Sequence, residues 1–302
     1  MRYGLMFDTA HPIDDLVPEA RKLAATGIDT LWCSQIFGYD ALSLLGVLAR
    51  EVPEIGFGTA VVPVYPRHPV MLAAQALTVQ AASGGRLQLG IGLSHQMVIE
   101  NVFGMSFDKP GRYMREYLEI LMPLVRGEAA GFKGEVLSST TFGPLDIPGA
   151  SAPPVLVAAL GPKMLETAGQ LADGTATWMT GLSTVADHIV PGIRAAASAA
   201  GRPSPHVAVG LPVCVTEDHE SAHEQASKTF AIYGQLPSYR AMLDREGAEG
   251  PADVAVIGDE AALARAIDRL TDSGATEFIA APFGDRAARE RTVAALSAIA
   301  RG

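Results

Sequence analysis

A short apolar run that hands over to an amphipathic stretch of helical spacing recurs eight times along this chain, and few folds accept that rhythm. The runs begin near residues 2, 29, 55, 86, 154, 173, 206 and 276. In the first unit, "YGLMFD" (Tyr3–Asp8) leads into Ile13, Leu16, Val17, Ala20, Leu23 and Ala24, which share one helix face. In the last complete crossover, Asp259 reads as the helix cap and Gly274 as its stop. Strands that each pass into a helix must run parallel, and eight of them close into a barrel. The expected fold class is α/β, a single (β/α)8 TIM-like barrel over residues 1–302. An apolar content of 48% suits strands covered on both faces.

Two gaps in the rhythm mark insertions, after strands four and seven. Residues 128–152, rich in Gly, Ser, Thr and Pro, have the composition of a small hairpin. Residues 216–256 carry Phe230, Tyr233, Tyr239 and Met242, which suit either a lid over a substrate or plain helix core.

The net charge of −10 and the absence of a basic run exclude a phosphate-backbone partner, so neither nucleic acid nor an anionic membrane surface is expected. The apolar stretch at the N-terminus ends at Asp8, too short for a signal-peptide core. No apolar run approaches the roughly 18 residues of a membrane span. Cys33 and Cys214 sit apart in apolar segments and read as buried reduced thiols. A cytoplasmic protein is expected.

In a barrel of this kind, chemistry sits at the C-terminal strand ends. Those ends carry Phe7 and Asp8; Ser34 and Gln35; Thr59, Ala60 and Val61; Leu93, Ser94 and His95; Ala158 to Gly161; Trp178; and Pro282 with Phe283. Few are ionisable. No His, Asp and Glu cluster has metal-ligand spacing, so no metal is expected, and no nucleophile elbow occurs. Aromatic, aliphatic and backbone groups with one histidine suit a planar organic cofactor that carries the chemistry itself. The fourth strand, "GRLQLGIGLSHQ", begins like a dinucleotide loop with Gly90 and Gly92, but His95 stands where a third glycine belongs. Its glycines read as small residues that let a flat cofactor approach the strand end.

Three stretches together resemble the bacterial luciferase-like superfamily. One is "GFGTAVVPVYPRHPVMLAAQALTVQAASGGRLQLGIG", with Thr59, Arg67, His68, Pro69, Arg86, Gly90 and Gly92 in the family's order. The others are "VLVAALGPKMLETAGQLADGTATW" and the closing "VIGDEAALARAIDRLTDSGATEFIAAPF". The resemblance implies an oxidoreductase that binds coenzyme F420, or alternatively FMN, at the strand C-termini. "AALGPKMLETAG" and "ADGTATW" are similar to the F420-dependent branch, which implies hydride transfer to or from a small-molecule substrate. The FMN alternative implies a monooxygenase using reduced flavin and oxygen.

By the same resemblance, Ala60-Val61 is the position of a non-prolyl cis peptide behind the cofactor ring. Ala158, Ala159, Leu160 and Gly161 match the backbone that grips the cofactor phosphate. Pro162 opens a helix whose free N–H groups favour an anion. Ser34, Thr59, Leu93, Ser94 and Trp178 complete the expected cofactor contacts. Arg67, His68 and Arg86 read as structural. Sugar-phosphate dehydrogenases of the F420 branch carry histidine where this chain has Gln35, and an acid where it has His95, which puts that chemistry in doubt here. His95 and Gln35 are the candidate catalytic residues, with His95 a proton donor. Family members often pair, so a homodimer is a possible assembly.

Overall fold

The computed structural model describes residues 1–302. Eight parallel strands close on themselves: β1 (Arg2–Met6), β2 (Thr30–Cys33), β3 (Gly56–Thr59), β4 (Leu87–Gly92), β5 (Val155–Val157), β6 (Gly174–Trp178), β7 (His206–Val215) and β8 (Glu277–Pro282). Each pairs with the next, and β8 pairs with β1 through Arg2 opposite Glu277 and Tyr3 opposite Phe278. All eight sequence runs are therefore barrel strands, and the expected TIM-type fold is present.

The helices between them bury one face each. Leu16, Ala20 and Leu23 lie inward on Ile13–Ala24, while Asp259 caps Glu260–Ser273 and Gly274 ends it in the left-handed region. Between strands and helices lies one continuous core of 61 buried side chains, against only five in the lumen: Trp32, Leu156, Ala176, Ala208 and Ile279. The barrel is thus stabilised mainly from outside, by apolar burial. Both cysteines are buried and free.

Trp32 plugs the lumen because two strands make way for it. A Cβ on Gly4 would stand 2.6 Å from its Nε1, and one on Gly58 would stand 2.4 Å from its ring. Beneath it, at the N-terminal strand ends, the fully buried Glu277 accepts hydrogen bonds from Trp32 Nε1 (2.8 Å), Gln88 Nε2 (3.1 Å) and His206 Nε2 (3.1 Å). Burial alone raises a carboxyl pKa, but the His206 bond, the Arg2 charge and the Gln88 bond outweigh it and hold Glu277 below the usual glutamate range. The lower end of the barrel is a satisfied polar floor.

After β4 the chain forms helices Gln96–Asn101 and Pro110–Val125, then a hairpin of Gly131–Lys133 with Ser138–Thr140, as its composition predicts. After β7 come helix His219–Thr229, a 3-10 turn Ala231–Gln235 and helix Pro237–Glu246. No helix is long and apolar enough to cross a membrane.

Candidate active site at the upper rim of the barrel

Strand alternation sends every second side chain into the lumen. Above the five-residue layer, β1 and the turn after β3 contribute Met6, Ala60 and Val61. Continuing the alternation adds Ser34, Gly92, Ala158, Gly210, Ala281 and the large ring of Trp178. Small residues on nearly every strand leave a shallow bowl open at the strand C-termini.

Its shape depends on the segment after β3. Thr59 Oγ1 donates to Gly90 O (2.7 Å) and accepts from Gly90 N (2.9 Å), tying β3 to β4. The Ala60-Val61 peptide is cis, at the position the family resemblance gives it. Val62–Pro63 then rejoins β4 opposite Ile91 and Gly92. A Cβ on Gly90 would stand 1.8 Å from Thr59 O, and one on Gly92 would stand 2.6 Å from Val61 Cγ2. The glycines of "LGIG" therefore make room for the neighbouring turn of chain. The expected Thr59 contact is corrected: the residue is fully buried with its hydroxyl used twice by Gly90, so it presents no side chain to a ligand.

The rest of the expected set divides by what remains available. Gln35 accepts at Oε1 from Arg67 Nη2 (3.0 Å) and Ala41 N (3.1 Å), and Arg67 pairs with Asp40. Its oxygen is engaged, leaving only the amide NH2 for a ligand. Arg86 donates to Ser83 O and Ala49 O, and His68 caps the helix Pro69–Ser83, so both are structural as expected. Leu93 packs on the outer core, while Ser94 turns at φ +62° and sends His95 to the rim. Ala159 is buried in the outer core and offers only backbone. Ala158 is exposed, and Leu160 and Gly161 lie half-buried ahead of helix Pro162–Leu171.

At that helix start, the amides of Leu160 and Gly161 have no backbone acceptor, and the Lys163 amide lies in a first turn without an intrahelical partner. Gly161 has φ −76°, which any residue adopts, and a Cβ there would meet nothing within 4 Å. Neither backbone strain nor internal packing demands a glycine here.

An arc of rings closes one side of the bowl. Phe283, from the end of β8, meets Phe230 edge-on (5.6 Å), and Phe230 meets Trp178 (6.1 Å). Trp178 meets Tyr233 (6.2 Å), Tyr233 meets Tyr239 (4.9 Å), and Tyr239 reaches His95 (5.9 Å). Within segment 216–256, Met242 enters the core, as plain helix would have it, while Tyr233 and Tyr239 lie beside the rim. Partial burial lowers the His95 imidazole below its ordinary range and so disfavours its charged form. Burial raises the Tyr233 phenol, against a smaller pull from the Trp178 indole. The indole Nε1 is itself buried without a well-formed hydrogen bond.

A family model described as luciferase-like monooxygenase matches residues 1–294. The chain belongs to the luciferase-like monooxygenase family. It is an oxidoreductase of that family and is 28% identical over 266 residues to 5,10-methylenetetrahydromethanopterin reductase of Methanolobus tindarius, across 85% of this chain and 78% of that one. The coenzyme F420-dependent tetrahydromethanopterin reductase of Methanopyrus kandleri superposes with a TM-score of 0.81 at 20% identity, covering 98% of this chain and 97% of that one. The oxygenating constituent of 3,6-diketocamphane monooxygenase from Pseudomonas putida, in complex with FMN, superposes at 0.75 and 16% identity, covering 100% and 97%. Luciferase-like proteins of this architecture thus include F420-dependent and FMN-bound examples.

Proposed function

We propose that this luciferase-like enzyme is an F420-dependent oxidoreductase that transfers a hydride between the deazaflavin and a small uncharged organic substrate. The carrying observation is the turn Ala158–Gly161, where unpartnered amides meet a helix start and a glycine required by nothing inside the protein. These features fit a phosphate, because an N-terminal turn concentrates free donors and the positive end of the helix dipole. The adjoining bowl of small residues fits a flat ring system, with the Trp178 ring on one side of it. The same features accept FMN. F420 is favoured by the sequence of the turn and by a 30% identical stretch of 166 residues shared with a putative coenzyme F420-dependent oxidoreductase of Mycobacterium tuberculosis.

In this reading the amides of Leu160, Gly161 and Lys163 hold the phosphate, and Ser34, Ala60, Val61, Ser94 and Ala158 border the ring. Bound F420 supplies a two-electron hydride carrier. His95, half-buried at the rim with its charged form disfavoured by that burial, passes a proton to or from the substrate atom that changes charge. Tyr239 keeps that imidazole in place from the side. The ring arc excludes water from the same region, which strengthens each polar contact made there. The exposed Ile36, Phe37 and Met97 at the strand-two and strand-four tips suit an apolar substrate.

Both tryptophans of the chain, Trp32 and Trp178, lie in the lumen, so intrinsic fluorescence reports directly on its occupancy. Titration of the purified protein with F420 and with FMN should give micromolar quenching by F420 and none by FMN. Binding of FMN alone favours the monooxygenase that uses reduced flavin and oxygen. Binding of neither overturns the cofactor reading.

A further inference from the structure

His188 lies in a π-helical turn, Val185–Ile189, between Leu182–Thr184 and helix Val190–Ala199. Its Nε2 stands 2.8 Å from the carbonyl oxygen of Leu160, 28 residues earlier in the chain. A carbonyl only accepts, so Nε2 carries the hydrogen in this contact. Single π turns add a residue to a helix and re-aim the side chains around them. Here one such turn carries an imidazole to a loop on the neighbouring strand end.

The effect on that loop follows from peptide geometry. The Leu160–Gly161 peptide is trans and planar, so its C=O and N–H point in opposite directions. Holding the Leu160 carbonyl toward His188 fixes the Gly161 N–H pointing away from it, where no protein acceptor meets it. Glycine at 161 lets this plane rotate more freely than any other residue would. The backbone alone therefore does not choose the orientation; the histidine does.

We infer that His188 is a positioning residue for the phosphate of the cofactor, acting through the Leu160 carbonyl to aim the Gly161 amide. It touches neither phosphate nor ring. The inference rests on the cofactor reading above, and it extends the phosphate site to a residue that lies outside the turn itself.

The test compares the phosphorylated cofactor with its phosphate-free counterpart, F420 against the bare deazaflavin alcohol, or FMN against riboflavin. Dissociation constants are measured for the wild type and for His188→Phe, His188→Asn and His188→Gln. Phe removes the donor, Asn is too short to reach Leu160 O, and Gln restores an N–H at nearly the reach of Nε2. The expected result is affinity for the phosphorylated form about tenfold weaker in the Phe and Asn variants, as for one hydrogen bond to a charged group. Affinity for the phosphate-free form stays within about twofold of wild type, and Gln recovers most of the loss. If Phe does not fold, Asn against Gln carries the comparison alone. Unchanged affinity for the phosphorylated form overturns the inference, and so does an equal loss for both forms, which marks a general packing role. A wild type that binds neither form overturns the cofactor reading itself, and the inference with it.

Discussion

The carbonyl oxygen of Thr59 occupies the space that a side chain at position 90 would need, 1.8 Å from where its Cβ would stand. Two strands are thereby fitted to each other through an absence of atoms. Because the obstacle is backbone, it cannot swing aside like the tip of a flexible side chain. Gly90→Ala is expected to cost about 3 kcal/mol or more, the upper end of overpacking penalties. Chemical denaturation measures the loss, and a stability within about 0.5 kcal/mol of wild type would contradict the fit.

Gly161 gives the opposite expectation. Its φ of −76° suits any residue and open space lies where its Cβ would go. Gly161→Leu should fold with a loss no greater than about 1 kcal/mol, the scale of a changed N-cap. Cofactor affinity should fall at least about tenfold as the side chain fills the phosphate position. Thermal melting and fluorescence titration on the same sample separate the two effects, and undiminished affinity counts against the phosphate assignment.

The His95 imidazole is held below its ordinary value of 6.5 by burial. Near that pH the unfolded chain therefore binds a proton that the native state resists, so native stability falls as the pH drops through 6.5. His95→Asn removes the titrating group and should flatten this slope between pH 7 and pH 5. Melting temperatures across that window provide the check. Parallel slopes for the two proteins would show that His95 does not titrate differently on folding.

Glu277 has the carboxylate sign. Its folded value lies below the ordinary 4.5, so its contribution is complete above that pH and is lost as the pH falls through the folded value. Glu277→Ala leaves Trp32, Gln88 and His206 without their acceptor inside the barrel. The expected cost is about 3–5 kcal/mol, as for breaking one side of a buried charged network. Denaturant unfolding near neutral pH measures it, and a cost under about 1 kcal/mol would mean that water replaces the carboxylate.

The barrel was legible because its signals are local. Each strand is a short apolar run, helices such as Ile13–Ala24 and Glu260–Ser273 carry helical spacing, and Asp259 and Gly274 mark the ends of the latter. His68 was legible as structural for a related reason, since it accepts from the Val70 amide two residues on, whereas Arg86 also reaches back to Ala49 O across 37 residues. The site was legible only in part, because alternation locates strand tips but does not say which way a side chain there is spent. Thr59 sits at a tip and is consumed by Gly90, which only the pairing of β3 with β4 reveals. His188 and Leu160 are separated by a whole βα unit, and Trp32 and Glu277 by nearly the whole chain. Polar residues inside apolar strands, Gln88 in "LQLGIG", His206 leading "HVAVGLPVCV" and Glu277 leading "EFIAAP", are the local traces of the polar floor.

That floor has a consequence for traffic. With Trp32 lodged across the lumen and Glu277 bound beneath it, the barrel has no back door. Everything that enters or leaves uses one doorway, framed on one side by the rings from Phe283 to His95. A ligand lodged on Met6 and Ala60 therefore has its exit on the strand C-terminal side alone.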